Sequence, residues 1–189
     1  MAEKIWIYKL KDKFERLLKR WVVLFDKVGI SPNMLTGVSI ISALVATYFF
    51  YHGDLITGGI FVLIDYVFDT FDGVLAKAVG KTSKMGYLLD HASDYVLRRV
   101  WYFALAYSGF LSFELVALAM FALAINVFAW NLALVKKLKV ARWSIVWFDW
   151  LIIPAVFSGY VVLFFQIMIA AHVLFFIANF IGMLYLNRK

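Results

Sequence analysis

From its N-terminus the chain sets Ile7, Leu10, Phe14, Leu17, Leu18, Trp21 and Phe25 at helical spacing, with Lys9, Lys13, Arg16, Lys19 and Arg20 between them. An apolar stripe backed by cations predicts an amphipathic helix within residues 1–30, lying in the cytoplasmic membrane interface. Docking of that face on a partner protein is the alternative. Charges interrupt every apolar core that a cleaved signal peptide would need. Long apolar runs follow. In "GISPNMLTG" Ser31 can cap a helix and Pro32 suits its first turn, so a first span is predicted from about Asn33 to Phe50, turning at "YHGD". Further spans are predicted from about Leu55 to Ala78, Tyr87 to Tyr107 and Phe113 to Leu134. The stretch from Trp143 to Leu186 is too long for one span and is divided near Phe165 and Gln166, with Pro154 kinking the first part. The expected fold is all-α and integral to a membrane. Six transmembrane helices, over residues 31–189, follow the interfacial helix.

Composition agrees. Of 189 residues, 65% are hydrophobic, far above the apolar share of a soluble domain, and the mean hydropathy is +0.86. At about 20 residues per span the chain has room for roughly six spans and little else. Neither an internal repeat nor a low-complexity linker is visible. The lack of cysteine excludes disulfides, thiolate metal sites and cysteine nucleophiles. The net charge of +7 matters through its placement. Basic residues fall in the N-terminal segment, at Lys77, Lys81 and Lys84, around Lys136 to Arg142, and at Arg188 and Lys189. None lies in His52 to Asp54 or Ser108 to Glu114. The positive-inside rule then makes both termini cytoplasmic and the number of spans even. The expected partner of this basic edge is anionic lipid and not nucleic acid.

The polar residues inside the apolar runs carry the chemistry. There are nine aspartates and three glutamates, and five aspartates lie between Asp65 and Asp94. Asp69 and Asp72 are three apart near the end of one predicted helix, and Asp90 and Asp94 four apart near the start of the next. Each pair shares a helix face. A short basic loop makes the two helices antiparallel neighbours, able to turn both pairs inward. Four close carboxylates repel, so either some are protonated or cations sit between them. Oxygen donors without cysteine favour magnesium, manganese or calcium over zinc. Two such metals would clamp a phosphoryl group. Gly73 and Gly86 remove side chains where a substrate would approach.

These residues resemble the CDP-alcohol phosphotransferases of phospholipid synthesis, whose signature reads D-x-x-D-G-x-x-A-R, eight residues, then G-x-x-x-D-x-x-x-D. Asp69, Asp72, Gly73, Ala76, Gly86, Asp90 and Asp94 occupy the matching positions, and Lys77 stands where the family usually has arginine. Lysine keeps the charge but loses bidentate phosphate geometry. "SPNMLT" and the six-span layout extend the likeness over most of the chain. The resemblance implies a cytoplasm-facing cavity binding CDP and two divalent cations, Mg2+ or Mn2+. It implies that Asp69, Asp72, Asp90 and Asp94 are metal ligands, that Asp94 is also the base for the attacking hydroxyl, and that Gly73, Ala76, Lys77 and Gly86 line the CDP site. Implied partners are a CDP-linked lipid, a small polar alcohol that in some members is phosphorylated, and a second copy of the chain.

Other polar residues are weighed beside these. Asp65, one turn before Asp69, is either a supporting acid or a solvated or helix-paired one. Arg98 and Arg99 enter a span where charge needs a partner, and at least one is expected to meet an aspartate or an anionic substrate. Lys136, Lys137, Lys139 and Arg142 are ordinary positive-inside residues, or, by likeness to phosphatidylinositol-phosphate synthases, Lys136 and Lys139 join Arg98 in holding the acceptor. His91 points away from its aspartate neighbours, His52 is read as a loop residue, and His172 as an interhelical hydrogen-bonding group. Asp149 is paired with Arg142 or a third-span arginine. "DHASD" is similar to the D-H-x-x-D of choline and ethanolamine phosphotransferases, which keeps transfer of a CDP-linked headgroup to a diglyceride as a second reading. A cation-coupled transporter is the alternative from another class.

Overall fold

Helix ends in this chain follow capping chemistry. The computed structural model describes residues 6–82, 84–135 and 149–186, without the side chains of residues 6–12, 84–95, 130, 133, 134, 149 and 186. Its helices are α1 (Trp6–Lys27), α2 (Pro32–Tyr51), α3 (Leu55–Val79), α4 (Lys84–Tyr107), α5 (Phe113–Val135), α6 (Ile152–Ser158) and α7 (Val161–Leu186), with a 3₁₀ turn at Asp149–Leu151 before α6. Among the described residues there is no strand. Ser31 Oγ accepts from the Met34 amide at 3.4 Å, Asp54 Oδ1 from the Thr57 amide at 3.0 Å, and Ser112 Oγ from the Leu115 amide at 3.1 Å. Each satisfies one of the orphan donors that open a helix.

Helices α1 to α5 start and stop within a few residues of where hydropathy placed them. The last apolar stretch does not. It breaks at Gly159 and Tyr160, not near Phe165 and Gln166, which lie inside α7. Gly159 adopts a left-handed backbone (φ 77°) and its amide donates to the Val156 carbonyl at 3.2 Å, a helix end that glycine forms without a Cβ clash. Pro154 does not kink a helix interior either. It sits in the first turn of α6, where a missing N–H costs little.

Two described helices, Pro32–Tyr51 and Val161–Tyr185, are long and apolar enough to cross a membrane, and Phe113–Ala129 is a shorter apolar helix. α3 and α4 are as long, but Asp65, Asp69 and Asp72 interrupt the first, and Asp90, Asp94, Arg98 and Arg99 the second.

The described residues divide into two compact units. In the first, Met1–Ala46 with Ile60–Arg98, α1 packs on α3 and the start of α2. Val22, Leu35, Val74 and Leu75 are buried there, flanked by Leu18, Phe25, Ile30, Phe68, Phe71 and Val79. The ring centroids of Phe25 and Phe71 are 6.1 Å apart. α1 and the turn after it leave Phe14, Leu17, Trp21, Leu24 and Val28 exposed at alternating three- and four-residue spacing, a second apolar stripe suited to lipid. α2 buries Leu35 and, beyond it, Ser39, Ser42, Ala43 and Ala46, the last four small residues that let helix backbones approach closely.

In the second unit, Thr47–Gly59 with Arg99–Lys189, α5 and α6 pack along α7. Asn126 Nδ2 donates to the His172 carbonyl at 2.6 Å, a bond between α5 and α7. Tyr102 meets the Phe165 ring edge-on at 4.6 Å, and its hydroxyl accepts from Arg99 Nη1 at 2.9 Å. His52 lies in the turn after α2 against the Tyr48 and Tyr51 rings. A Cβ on Gly59 would lie 2.7 Å from Val156 Cγ1.

We expect Gly59→Val to lower the thermal midpoint of the purified protein in lipid, by about 1–3 kcal/mol of overpacking, in a fluorescence melt. The Thr57 amide bond also holds the Asp54 carboxyl below its ordinary value. The sign follows: a lowered folded pKa adds stability above the unfolded value and loses it as pH falls through the folded one. The start of α3 should therefore exchange its amide hydrogens faster in acid. Asp54→Ala should show that rate already at neutral pH.

Candidate active site

α3 brings Asp65, Asp69 and Asp72 onto one side, four and three residues apart, and the first unit surrounds them with partners. Two come from α2, where Thr36 and Ser39 are also three apart. Thr36 Oγ1 donates to Asp72 Oδ2 at 2.5 Å, and Ser39 Oγ to Asp65 Oδ1 at 2.5 Å. The third is Arg98 of α4. Its Nε lies 3.3 Å from Asp65 Oδ2, its Nη2 3.0 Å from Asp69 Oδ2, and its guanidinium 4.3 Å from the centroid of the Tyr66 ring. Asp65, Asp72 and Arg98 are 3%, 5% and 8% exposed, so this is an ionic cluster largely withdrawn from solvent.

Asp65 is buried and paired with Arg98, which excludes the solvated reading. Arg98 meets aspartates, one of the two partners expected for it. Asp69 and Asp72 lie on one side of α3 with separate partners, Arg98 and Thr36. Gly73 follows the two aspartates with open space: among the described residues, nothing beyond its chain neighbours and its own helix backbone lies within 4 Å of where its Cβ would be. Ala76 lies one turn on in α3. Gly86, Asp90 and Asp94 are on the α4 backbone. The side chains of Asp90, His91, Asp94 and Asp149, together with the whole of Lys136, Lys137, Lys139 and Arg142, lie outside the described residues.

Lys77 turns toward α1. Its Nζ lies 3.0 and 3.1 Å from the two Glu15 carboxylate oxygens, and Lys81 pairs with Asp26 at 2.8 Å. A cavity of about 390 Å³ opens there, lined by Glu15, Arg16, Lys19, Val74, Lys77 and Ala78. The Lys77 side chain is 60% exposed, and an exposed pair of this kind contributes about 0–1 kcal/mol.

Among the described residues no three His, Cys, Asp or Glu side chains gather as a metal-binding group. The donors that are described, two carboxylates with a hydroxyl beside one of them, are all hard oxygens, and this chemistry fits Mg2+ or Mn2+. Sequence reasoning passed over Ser39 and gave Thr36 no specific partner. The signal was there: hydroxyls at Thr36, Ser39 and Ser42 interrupt an otherwise apolar run at a constant spacing of three.

The chain matches the CDP-alcohol phosphatidyltransferase family over residues 29–185 and belongs to that family of transferases. It is 32% identical over 112 residues to an archaetidylinositol phosphate synthase of Pyrococcus horikoshii, a match covering 59% of this chain and 60% of that protein. It is 30% identical over 86 residues to an uncharacterized protein of Aquifex aeolicus, covering 46% of this chain and 44% of that one. The chain thus spans less than two thirds of the length of these curated relatives. Family membership and the two long apolar helices together indicate a membrane protein.

Buried and exposed ion pairs should separate in a melt. Asp65→Ala leaves Arg98 without one of its buried carboxylates and should cost about 3–5 kcal/mol. Glu15→Gln should change stability by less than about 1 kcal/mol. Equal losses would mean that the Asp65 site is as wet as the Glu15 site.

Proposed function

We propose that this protein transfers a substituted phosphoryl group from a CDP-linked lipid to a small polar alcohol, releasing CMP. The observation that carries the reading is the complete acidic signature in a chain of this family, with Asp69 and Asp72 already held by Arg98 and Thr36. The name of the Pyrococcus relative, archaetidylinositol phosphate synthase, supports an inositol phosphate as acceptor and an ether-linked lipid as donor. The basic placement along the sequence supports six spans with both termini and the site on the cytoplasmic face.

In this reading Asp69, Asp72, Asp90 and Asp94 hold two divalent cations. When bound, these stabilise charge on the phosphoryl oxygens and on departing CMP. Gly73 and Gly86 leave room for the nucleotide, Ala76 lies beside it, and Lys77 releases Glu15 to meet a phosphate oxygen. Asp94 takes the proton from the acceptor hydroxyl as its oxygen bonds to the lipid-bearing phosphorus. The bond from that phosphorus to the CMP oxygen breaks, and CMP carries away the electron pair. Lys136 and Lys139 bind the acceptor's own phosphate. Arg98, engaged with two carboxylates, contributes from the Asp69 side. Members of the resembled family are often dimeric, and a homodimer belongs to the same reading.

The test is CMP release by the protein in lipid, supplied with a CDP-linked lipid and pooled polar alcohols, with and without Mg2+ or Mn2+. We expect metal-dependent release that Asp94→Asn lowers by about 100- to 10,000-fold, the usual contribution of a general base. Activity only with a CDP-linked headgroup and a diglyceride would reverse donor and acceptor. Silence with both, beside an active control enzyme, would favour cation-coupled transport.

A further inference from the structure

Arg98 is held more tightly than a substrate-binding arginine needs to be. Its Nε faces Asp65, its Nη2 faces Asp69, and the plane between them lies over Tyr66. Asp65 is fixed in turn by the Ser39 hydroxyl. Three elements, α2, α3 and α4, therefore place one buried positive charge against the first carboxylate of the signature.

We infer that Arg98 is the resident counter-cation of Asp69, a positioning residue through which Asp65 sets the affinity of the acidic site for divalent cations. The inference rests on the metal-binding role proposed above for Asp69. A charge beside Asp69 opposes any cation approaching the same carboxylate, and it does so strongly because little water intervenes. Asp65 limits that opposition by neutralising Arg98 and drawing its Nε the other way. Without Arg98, Asp65 and Asp69 would face each other across one helical turn, and the site would attract cations too firmly. Without Asp65, more of the charge of Arg98 would fall on Asp69. The two residues thus act with opposite sign on one quantity, which a purely architectural ion pair would not do.

The experiment is Mn2+ binding, followed by electron paramagnetic resonance of the free ion, to the full chain in lipid nanodiscs. Wild type, Arg98→Gln, Asp65→Asn and the double variant are compared after gel filtration and circular dichroism confirm folding. Arg98→Gln should bind Mn2+ more tightly and Asp65→Asn more weakly, each by about ten- to a hundredfold, the usual reach of groups that contact a ligand but not the metal. The double variant, with the balance of charge restored, should return close to wild type. If Arg98→Gln does not fold, weaker binding by Asp65→Asn and its recovery in the double variant decide the matter. Weakening in both single variants with the double weakest overturns the inference, since that is the pattern of a damaged scaffold. So does unchanged affinity throughout. In either case wild-type Mn2+ binding and CMP release would still stand, so the function survives its loss. Wild type that neither binds Mn2+ nor releases CMP removes the proposed function and this inference together.

Discussion

The constraint on which this molecule turns is the presence of charge inside an apolar helical protein. Asp65, Asp69 and Asp72 stand on one side of α3, and a carboxylate withdrawn from water is tolerated only with partners. Arg98 supplies a cation to two of them, Ser39 and Thr36 supply hydroxyls, and Tyr66 supplies a ring face. In meeting the demand of the acids, α2 and α4 are drawn to α3 at the level where the signature lies. Chemistry and architecture are the same contacts.

The first unit also separates strong from weak polar contacts. The Asp65 and Arg98 pair is buried, so removing either partner strands a charge. The Lys77 and Glu15 pair and the Lys81 and Asp26 pair are exposed and contribute little to stability. α1 is held mainly by Val22 and its apolar neighbours on α3 and α2, while its other stripe, from Phe14 to Val28, stays open. A lysine that pairs weakly is free to change partner when an anion arrives. A buried arginine held between two carboxylates exchanges partners less readily.

Much of the fold is legible in the sequence. Ser31 with Pro32, the turn at Asp54 and long apolar runs mark helix ends because capping and hydropathy are local properties. The Asp69 to Asp94 spacing marks a candidate site because i, i+3 and i, i+4 positions share a face. The break at Gly159 was missed because hydropathy hardly changes across it; a left-handed glycine ends a helix whether its neighbours are apolar or not. Pro154 was misread because its effect depends on where the helix begins, and that was not visible in an unbroken apolar stretch.

The sequence by itself determined that the chain is helical, which helices bear charge, and which acids share a face, since all of these follow from periodicity and composition. It also carried the family signature. Only the tertiary structure decided the partners: that Arg98 bridges Asp65 and Asp69, that Ser39 and Thr36 reach across from α2, and that Lys77 meets Glu15. The reason is one of distance along the chain. Asp65 and Asp69 are neighbours by helix geometry alone, whereas Arg98 lies 33 residues beyond Asp65 and Ser39 lies 26 before it. Nothing local fixes contacts of that separation. They exist because helices pack so that buried charges find counter-charges and hydroxyls.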